Sequence, residues 1–540
     1  MTRTTDTDWW RSAVIYQIYP RSYADGNGDG IGDLAGIRDR LSHLRALGVD
    51  AVWLSPWYVS PMADAGYDIA DYRDIDPVFG TLAEAESLIA EAEAQGLKII
   101  VDMVPNHCSD RHPWFRAALE AGPGSPERQR FHFRPGRGEQ GDLPPNNWQS
   151  HFGGPAWTQV ADGEWYLHMF APQQPDWNWQ HPHVKAEFES VLRFWLDRGV
   201  AGFRIDVADH LVKAAGLPET TMLPAGAVRP WRDQEGVHDI YRRWRRILDE
   251  YPGHRVFVAE LWDDDPDRFS RYLRPDELHS AFNFPLLQSP WDADALRNVV
   301  DTTLAAHARV GAPATWVLSN HDTTRHVTRY GRTDTSYALD GRRVHHAPVD
   351  LDLGTRRARA AALLNLALPG SAYIYQGEEL GLWEVEDIPL NLRQDPALRQ
   401  SGGTDPGRDG CRVPLPWADE APPFAFSPPS TGTEPWLPQP PAWKDHTVAA
   451  QDNDPGSMLE LYRTALRIRT GHPDLGDGTL AWLPAPEGVL AFTRSSAFAC
   501  VVNLSSQPEP LPAHTRQLLT SVPLDDGMLP TDAAAWLELL

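Results

Sequence analysis

The chain is poor in cysteine and in uninterrupted apolar runs, and each shortage excludes a class of protein. Its 540 residues include three cysteines, Cys108, Cys411 and Cys500, and their spacing matches no metal-binding motif. We therefore expect reduced thiols in the cytoplasm rather than a disulfide framework. The most apolar stretch is interrupted by Asn365 and Pro369, so no membrane-spanning helix is predicted.

Basic charge is also scarce. The sequence has 49 Lys and Arg against 74 Asp and Glu, which gives a formal net charge of -25. This balance argues against nucleic acid and anionic membranes as partners, whereas a small neutral ligand fits. Residues 1–10 are polar and lack the apolar segment of a signal peptide, so we expect a cytoplasmic protein. The length allows two or three domains with a large core.

Short apolar strands alternate with amphipathic helices over most of the chain. Strands are predicted at 13–19, 51–54, 98–104, 202–207, 256–260, 280–284, 315–318 and 372–375. Helices are predicted at 33–47, 82–95, 184–198, 239–251, 295–310, 357–368 and 458–469. Eight parallel strands with helices outside them make an α/β fold, the (β/α)8 TIM barrel.

Two regions depart from this alternation. Residues 105–172 are rich in Pro, Gly, Asn and Trp, which predicts an irregular subdomain inserted after strand three. Short apolar segments in 475–540 predict a C-terminal antiparallel domain like a β-sandwich. The barrel would then comprise residues 1–104 and 173–474. Within it, the Pro-rich segment 414–443 is either a linker or a long active-site loop.

The fourth predicted strand carries two charged residues within an apolar run. Because side chains two apart in a strand share a face, Arg204 and Asp206 point the same way. A buried carboxylate needs such a partner, and the arginine would favour its ionised form. A structural ion pair explains this hexapeptide equally well, so other residues must decide.

Polar residues cluster at the predicted carboxyl ends of the strands, where barrels of this kind carry their chemistry. They are Asp102, Asn106, His107, Arg204, Asp206, Glu260, Asn320, His321 and Asp322. Like charges in a partly dry pocket push their pKa values apart, so one carboxyl stays protonated while another is ionised. Glycoside hydrolysis needs such a pair: a general acid for the leaving oxygen and a carboxylate for the anomeric carbon.

Several motifs are similar to those of one enzyme family. They are Asp102-Met-Val-Pro-Asn-His107, Gly202-Phe-Arg-Ile-Asp206, Val258-Ala-Glu260, Leu318-Ser-Asn-His-Asp322 and Gln174-Pro-Asp-Trp-Asn178. From about Trp10 to its C-terminus the chain resembles the α-amylase family of glycoside hydrolases, family 13, in its α-glucosidase and oligo-1,6-glucosidase branch. Trp177 stands where that branch usually has Leu.

The resemblance implies a catalytic set and a sugar site. Asp206 would be the nucleophile, Glu260 the general acid/base, and Asp322 the stabiliser of the transition state. The nonreducing glucose would be held by Tyr67, Asp68, His107, Arg204, His321 and Arg408. Arg412, in the same motif as Arg408, is either a further ligand or structural.

The expected activity is that of a retaining, exo-acting α-glucosidase on short α-glucosides, with maltose-like α-1,4 linkages favoured. The alternatives are an oligo-1,6-glucosidase and a transglucosylase like trehalose synthase or sucrose isomerase. A noncatalytic transporter heavy chain is disfavoured, because all three carboxylates are present and no membrane anchor is visible. We expect a monomer or weak homodimer and no organic cofactor.

A separate loop alternates acidic residues with glycine. Asp25, Asn27, Asp29 and Asp33 bring several oxygens together, which suits a hard divalent cation. An EF-hand would need Glu at the twelfth position, where the chain has Gly36. The resemblance implies one structural Ca²⁺ or Mg²⁺ held by Asp25, Asn27, Asp29, the Ile31 carbonyl and Asp33. The alternative is an Asp/Gly turn without a metal.

Overall fold

Eight parallel strands form a barrel in the computed structural model, which describes residues 8–222, 228–263, 265–337, 347–429 and 431–539. The strands are β1 (Val14–Ile18), β2 (Ala51–Leu54), β3 (Lys98–Met103), β4 (Gly202–Ile205), β5 (Val256–Ala259), β6 (Ser280–Ala281), β7 (Thr315–Val317) and β8 (Ser371–Tyr375). The predicted fold class is confirmed. Residue 1, where the predicted barrel domain begins, and residue 540, where the predicted C-terminal domain ends, lie outside the described residues.

The barrel is nearly closed. Its strand order is β6-β5-β4-β3-β2-β1-β8-β7, and the Asn283 amide bridges the remaining gap by donating to the Thr315 carbonyl at 2.8 Å. Strand β6 is shorter than predicted because the Asn283 side chain accepts from the Leu286 amide and starts a helix there. All strand carboxyl ends therefore face one mouth.

Helices surround the barrel. They are α1 (Leu34–Asp39), α2 (Leu41–Leu47), α3 (Leu82–Ala94), α4 (Pro113–Ala121), α5 (Pro182–Leu196), α6 (Gly236–Leu248), α7 (Pro266–Arg271), α8 (Phe284–Gln288), α9 (Ala293–Ala308), α10 (His326–Tyr330), α11 (Leu351–Ala367), α12 (Pro396–Gln400), α13 (Val448–Gln451) and α14 (Met458–Gly471). Across the described part of the chain, no helix combines the length and apolarity needed to cross a membrane.

The single helix predicted at 33–47 is wrong, because the chain forms two helices that break at Arg40. Helix α1 packs against α3, whereas α2 packs against α14. The apolar stripe that predicted one helix therefore packs against two different neighbours. Gly36 lets α1 approach the preceding loop, since a Cβ there would lie 2.1 Å from the Ala24 carbonyl oxygen.

The segment between β3 and α5 holds helix α4 and a three-stranded antiparallel sheet of Phe133–Pro135, Glu164–Leu167 and Trp157–Gln159. The sequence suggested no long periodic element here, yet α4 runs for nine residues. Trp148 and Trp157 belong to a separate small core. Trp177 is buried and stacks on Phe131, with ring centroids 4.6 Å apart.

The C-terminal part forms a five-stranded antiparallel sheet of β9 (Ala481–Trp482), β10 (Val489–Arg494), β11 (Phe498–Asn503), β12 (Arg516–Thr520) and β13 (Ala533–Glu538). The strand order in this sheet is β9-β10-β11-β13-β12. Short antiparallel pairs join Tyr58–Val59 to Asp71–Ile75 and Glu509–Pro510 to Met528–Leu529. The sheet docks on α11, where Trp536 Nε1 donates to the Leu363 carbonyl at 3.1 Å.

The Pro-rich segment 414–443 covers the acidic loop that follows β1. The Asp25 amide donates to the Phe426 carbonyl at 2.9 Å, and the Trp436 amide donates to the Gly30 carbonyl at 3.0 Å. Trp417, Leu437 and Trp443 of the segment are buried. It is therefore an integral cover of the barrel rather than a linker.

Candidate active site

One arginine holds three carboxylates at the barrel mouth. Arg204 Nη1 donates to Asp102 Oδ1 at 3.0 Å and to Asp206 Oδ1 at 2.7 Å, and Nη2 donates to Glu260 Oε2 at 2.5 Å. The adjacent strands β3, β4 and β5 supply these residues, and all four side chains are buried. The predicted nucleophile and acid/base thus share one guanidinium.

This cluster is rich in negative charge. Burial raises the pKa of Asp102 to about 7, and burial together with the neighbouring Glu260 and Asp102 carboxylates raises that of Asp206, although Arg204 opposes both shifts. One guanidinium cannot balance three buried carboxylates, so the cluster keeps a proton near neutral pH. A protonated carboxyl group beside an ionised one is what glycoside hydrolysis requires.

Glu260 is held at both oxygens. Besides the bond from Arg204, Oε2 accepts from the Val207 amide at 3.1 Å, and Oε1 accepts from Trp262 Nε1 at 2.8 Å. Val207 has φ of 35°, a conformation that β-branched residues rarely adopt. The backbone strain just after Asp206 therefore directs an amide at the acid/base. Sequence reasoning did not identify Trp262, whose only signal was its place two residues after Glu260.

Asp322 lies in the opposite electrostatic setting. Its Oδ1 accepts from Arg408 Nη1 at 3.1 Å and from Arg412 Nη2 at 2.7 Å, and its Oδ2 lies 3.2 Å from His321 Nε2. Burial alone would raise the pKa of Asp322, but His321 and the two arginines hold it well below its usual range. Because burial also lowers the pKa of His321 and keeps that ring neutral, we assign the effect to the arginines. Arg412, left open by the sequence, thus contacts a catalytic candidate.

Tyr67 links the Arg204 cluster to the surroundings of Asp322. Its ring stacks on His321, with centroids 5.4 Å apart and planes 6° from parallel. Its hydroxyl lies 2.7 Å from His321 Nε2 and donates to Asp102 Oδ2 at 3.1 Å. Burial and the Asp102 charge raise the tyrosine pKa well above its usual value, so the hydroxyl keeps its proton.

A polar wall formed by Asp64, Gln174, Asp395 and Arg408 lies beyond Asp322. Arg408 Nη2 donates to Asp64 Oδ1 at 2.5 Å, and Arg408 Nε donates to Asp395 Oδ2 at 2.5 Å. Gln174 Nε2 donates to the other Asp64 oxygen at 3.1 Å. The Phe152 ring covers the guanidinium, with its centroid 5.2 Å from Cζ. Arg408 thus contacts four residues from separate parts of the chain, namely Asp64, Asp322, Asp395 and Phe152.

The expectation that Asp68 binds sugar needs correction. Asp68 is fully buried, and its carboxylate accepts from the Ser60 hydroxyl at 2.9 Å and from the Ala63 and Asp64 amides at 2.9 and 3.0 Å. It therefore stabilises a turn. Asp64, four residues earlier, is the acid that meets Arg408.

His107 lies beside the polar wall. It is buried, its Nε2 is 3.1 Å from Gln174 Nε2, and its ring centroid is 5.0 Å from that of Phe170. Burial lowers its pKa to about 4, so the ring is neutral at neutral pH. His107 belongs to the inserted segment and Gln174 lies just beyond its predicted end, and Gln174 connects His107 to the Asp64 turn.

The acidic loop after β1 is tightly hydrogen-bonded to its own backbone. Asp25 accepts from the Gly28 and Gly30 amides at 2.6 and 2.8 Å. Asp33 accepts from the Gly26 and Gly36 amides at 3.1 and 2.7 Å. In the part of the chain that the structure describes, no group of three or more His, Cys, Asp or Glu side chains is arranged to hold a metal.

The donor set nevertheless suits a hard cation. Asp25, Asn27, Asp29, the Ile31 carbonyl and Asp33 offer oxygen alone, the type of ligand that Ca²⁺ and Mg²⁺ prefer. A carboxylate oxygen that accepts one amide hydrogen bond keeps a second lone pair. Burial raises the pKa of Asp33, and a bound cation would favour its ionised form.

Comparisons with known proteins agree with this geometry. A family model of the α-amylase catalytic domain matches residues 17–478. A probable α-glucosidase from Rhizobium meliloti (strain 1021) is 38% identical over 528 residues, which cover 93% of this chain and 90% of that protein. An oligo-1,6-glucosidase from Parageobacillus thermoglucosidasius is 35% identical over 509 residues, which cover 87% and 85%.

A solved structure shares the whole architecture. The crystal structure of an α-glucosyl transfer enzyme, XgtA, superimposes with a TM-score of 0.86 at 36% identity, and the match covers 99% of this chain and 100% of that one. Together, the matched catalytic domain, the barrel and the carboxylates at its mouth place this chain in the α-amylase family of glycoside hydrolases.

Proposed function

We propose that this protein is a retaining exo-α-glucosidase that removes single glucose units from the nonreducing ends of short α-glucosides. The observation that carries the proposal is the Arg204 guanidinium, which binds both Asp206 and Glu260. In retaining enzymes the two carboxyl groups lie about 5–5.5 Å apart, and a shared guanidinium favours such a short separation. The similarity to a probable α-glucosidase supports the same activity.

The reaction proceeds in two steps. Asp206 attacks the anomeric carbon while the glycosidic carbon–oxygen bond breaks, and Glu260 gives its proton to the leaving oxygen. Glu260, now ionised, removes a proton from water, and the resulting hydroxide displaces Asp206 and yields α-glucose. Asp322 remains ionised throughout because two arginines contact it, so it stabilises the positive charge that develops on the sugar ring.

Exo action follows from the polar wall. Asp64 and Arg408 pair across the cleft and leave polar atoms for the far hydroxyls of one glucose rather than room for a second sugar. Tyr67, His107 and His321 complete the proposed pocket. A site that hydrogen-bonds hydroxyl groups rejects analogues that lack them far better than an apolar pocket would.

Transglucosylation is the second candidate, and the similarity to an α-glucosyl transfer enzyme favours it. Transfer and hydrolysis share the glucosyl-enzyme step and differ only in whether water or a sugar hydroxyl attacks. Residues 208–226 follow strand β4 and are proposed to help shape the acceptor site, and 223–226 of them lie outside the described residues. The similarity to an oligo-1,6-glucosidase makes α-1,6 linkages the alternative to α-1,4.

A time course on maltoheptaose tests the proposal. Glucose and maltohexaose should appear together from the first point, and NMR of the first product should show the α-anomer. Early maltose and maltotriose without glucose would indicate an endo-acting enzyme, and initial β-glucose would indicate inversion. Product analysis on equal concentrations of maltose, isomaltose, sucrose and trehalose then separates the linkages and measures transfer against hydrolysis.

We also propose that the loop of residues 25–33 binds one Ca²⁺ or Mg²⁺, a structural role supported by its oxygen donors and its burial under segment 414–443. Chelation should then lower the melting temperature more than the initial rate at low temperature, because the loop does not join the carboxylate cluster. An unchanged melting temperature after exhaustive chelation, with no metal by elemental analysis, would favour the plain Asp/Gly turn.

We further propose a cytoplasmic monomer or weak homodimer. The cysteines are few and all three are buried, which suits a reducing compartment. Sedimentation at increasing protein concentration tests the oligomeric state, and a stable tetramer would contradict it.

A further inference from the structure

Two histidines from distant parts of the chain meet through their ring nitrogens. His151 Nε2 lies 3.0 Å from His210 Nε2, and the ring centroids are 5.0 Å apart with planes 63° from parallel. His151 belongs to the inserted segment and is exposed, whereas His210 follows β4 and is buried. One partner of this histidine pair is therefore open to solvent, and the other is held inside the fold.

His210 is oriented by its neighbour in the sequence. Its Nδ1 lies 2.7 Å from Asp209 Oδ1. Because a carboxylate only accepts, Nδ1 carries the ring proton, and the Nε2 of the neutral ring has a lone pair for His151. A carboxylate that fixes the tautomer of an imidazole in this way is the usual second partner of a metal-bound histidine. His210 thus already has the form of a metal ligand.

The spacing of the two Nε2 atoms fits a shared metal ion. Two nitrogen ligands at about 2.0–2.1 Å from a metal lie about 2.9 Å apart when their bonds meet at a right angle. A right angle is the preference of octahedral and square-planar ions, and imidazole suits Ni²⁺, Cu²⁺ and Zn²⁺. His151 becomes the second ligand when its proton moves from Nε2 to Nδ1, so the pair releases no proton. In the described part of the chain no third His, Cys, Asp or Glu joins them, so water completes the coordination.

We propose that His151 and His210 together bind one divalent transition-metal ion, and that the bound ion inhibits the enzyme. The His151 ring lies 4.9 Å from that of Phe170, which lies 5.0 Å from that of His107 in the proposed glucose pocket. A hydrated dication at the pair therefore stands beside that pocket and ties the inserted segment to the loop after β4, which hinders the entry of sugar. Only the inhibition rests on the proposed α-glucosidase function.

Calorimetric titration with Ni²⁺ tests the binding. The enzyme is first saturated with Mg²⁺, which prefers oxygen ligands and fills the loop of residues 25–33 if that loop binds metal. We expect one Ni²⁺ site per chain in the wild type and its loss in His151→Ala, whose exposed position tolerates the change. Asp209→Asn keeps both ligands but removes the carboxylate that orients His210, so Ni²⁺ should bind roughly 10–100-fold more weakly.

The matched control is a second pair of histidines. The rings of His181 and His183 are also 5.1 Å apart, with planes 74° from parallel, but His181 Nδ1 accepts from the His183 amide at 3.2 Å. His183→Ala should therefore bind Ni²⁺ like the wild type. In maltose hydrolysis, Ni²⁺ should inhibit the wild type and His183→Ala at least tenfold more strongly than His151→Ala.

Two results would overturn the inference. Wild-type enzyme that binds Ni²⁺ no more tightly than His151→Ala would exclude the site, and equal inhibition of the two proteins would exclude its inhibitory role. The titration needs no turnover. A protein inactive on maltose and isomaltose would refute the proposed α-glucosidase function, while its Ni²⁺ titration would still decide whether the histidine pair binds metal.

Discussion

Two clusters at the barrel mouth combine arginines and carboxylates in different ratios. Around Arg204, three carboxylates share one guanidinium. Around Asp322, two guanidinium groups meet one carboxylate, and Arg408 has Asp64 and Asp395 as further partners. The first cluster raises the pKa values of Asp102 and Asp206, whereas the second depresses that of Asp322.

The difference matches two chemical tasks. The acid-rich cluster holds the proposed nucleophile and acid/base, and the raised pKa values of Asp102 and Asp206 keep a proton within it near neutral pH. A group that only supplies negative charge must not protonate, and paired arginines prevent it. The ratio of arginine to carboxylate therefore distinguishes the proton-handling side of the cleft from the side with fixed charge.

The largest expected effect comes from the acid-rich cluster. Asp206→Asn removes the proposed nucleophile but keeps the side-chain size and the Arg204 contact, so turnover should fall by on the order of 10⁴-fold or more. Glucose binding and the melting temperature should change little. Steady-state kinetics and calorimetry measure both. Asp197→Asn, at an exposed carboxylate bonded to Tyr251, is the control and should be neutral. Wild-type-like activity in folded Asp206→Asn protein would contradict the assignment.

Arg204→Lys tests whether one guanidinium holds the cluster together. A lysine ammonium cannot span three carboxylates, and breaking a buried pair costs about 3–5 kcal/mol. We therefore expect a clear loss of both melting temperature and activity. Arg193→Lys is the control, since Arg193 also donates two bonds, at 2.5 and 2.9 Å, to exposed Glu250. Equal effects of the two variants would show that the shared guanidinium is not needed.

Asp64→Asn and Asp68→Asn sharpen the comparison on the arginine-rich side. Asp64→Asn removes the charge that meets Arg408, so KM for maltose should rise roughly 10–100-fold, the value of one charged hydrogen bond. Products longer than glucose should also appear from maltoheptaose. Asp68→Asn should lower the melting temperature with little effect on KM, because its carboxylate only stabilises a turn. A larger increase of KM in Asp68→Asn than in Asp64→Asn would mean that Asp68, and not Asp64, contacts the sugar.

Glu378, in a third buried site, should affect stability and leave turnover unchanged. Burial raises its pKa from 4.5 to about 8, despite bonds from the Ser319 hydroxyl at 2.7 Å and the Tyr375 amide at 3.1 Å. The folded state thus holds this proton more tightly than the unfolded chain, so stability falls as pH rises between those values. Glu378→Gln should remove this loss of unfolding free energy, which is on the order of 2–4 kcal/mol at pH 8.

Calorimetry at pH 5 and pH 8 checks this prediction. Between these two pH values the melting temperature of the wild type should fall further than that of Glu378→Gln. Identical pH dependence in the two proteins would mean that Glu378 is ionised in the folded state. Glu250→Gln, at an exposed site, should follow the wild type.

The sequence predicted the barrel and the proposed catalytic set because both depend on local patterns. The alternation of apolar strands and amphipathic helices indicates directly which residues are buried. The barrel topology then brings the polar ends of the strands together at one mouth. Arg204 and Asp206 share a face because they are two apart, and the structure joins them at 2.7 Å. Register between neighbouring strands then brings Asp102 to the same guanidinium.

The remaining site residues depend on contacts that cross the chain. Asp64 and Asp68 flank Tyr67 in one short turn, and only the arrival of Arg408, 344 residues later, decides which acid meets it. Asp395 and Trp262 carried no motif of their own. The break at Arg40 likewise reflects two different packing partners rather than any local signal, so an apolar stripe alone could not reveal it.

The pairing of β1 with β8 has a consequence for biogenesis. Val14 aligns with Ala372, and the loop of residues 25–33 is completed by the amide and carbonyl groups of segment 414–443. At about 5–20 residues per second, roughly 20–80 s pass on the ribosome between synthesis of these partners. The nascent chain carries unpaired strand edges during that interval and should depend on chaperones. Ribosome-bound chains halted at residue 350 should therefore be far more protease-sensitive than those halted after the last residue.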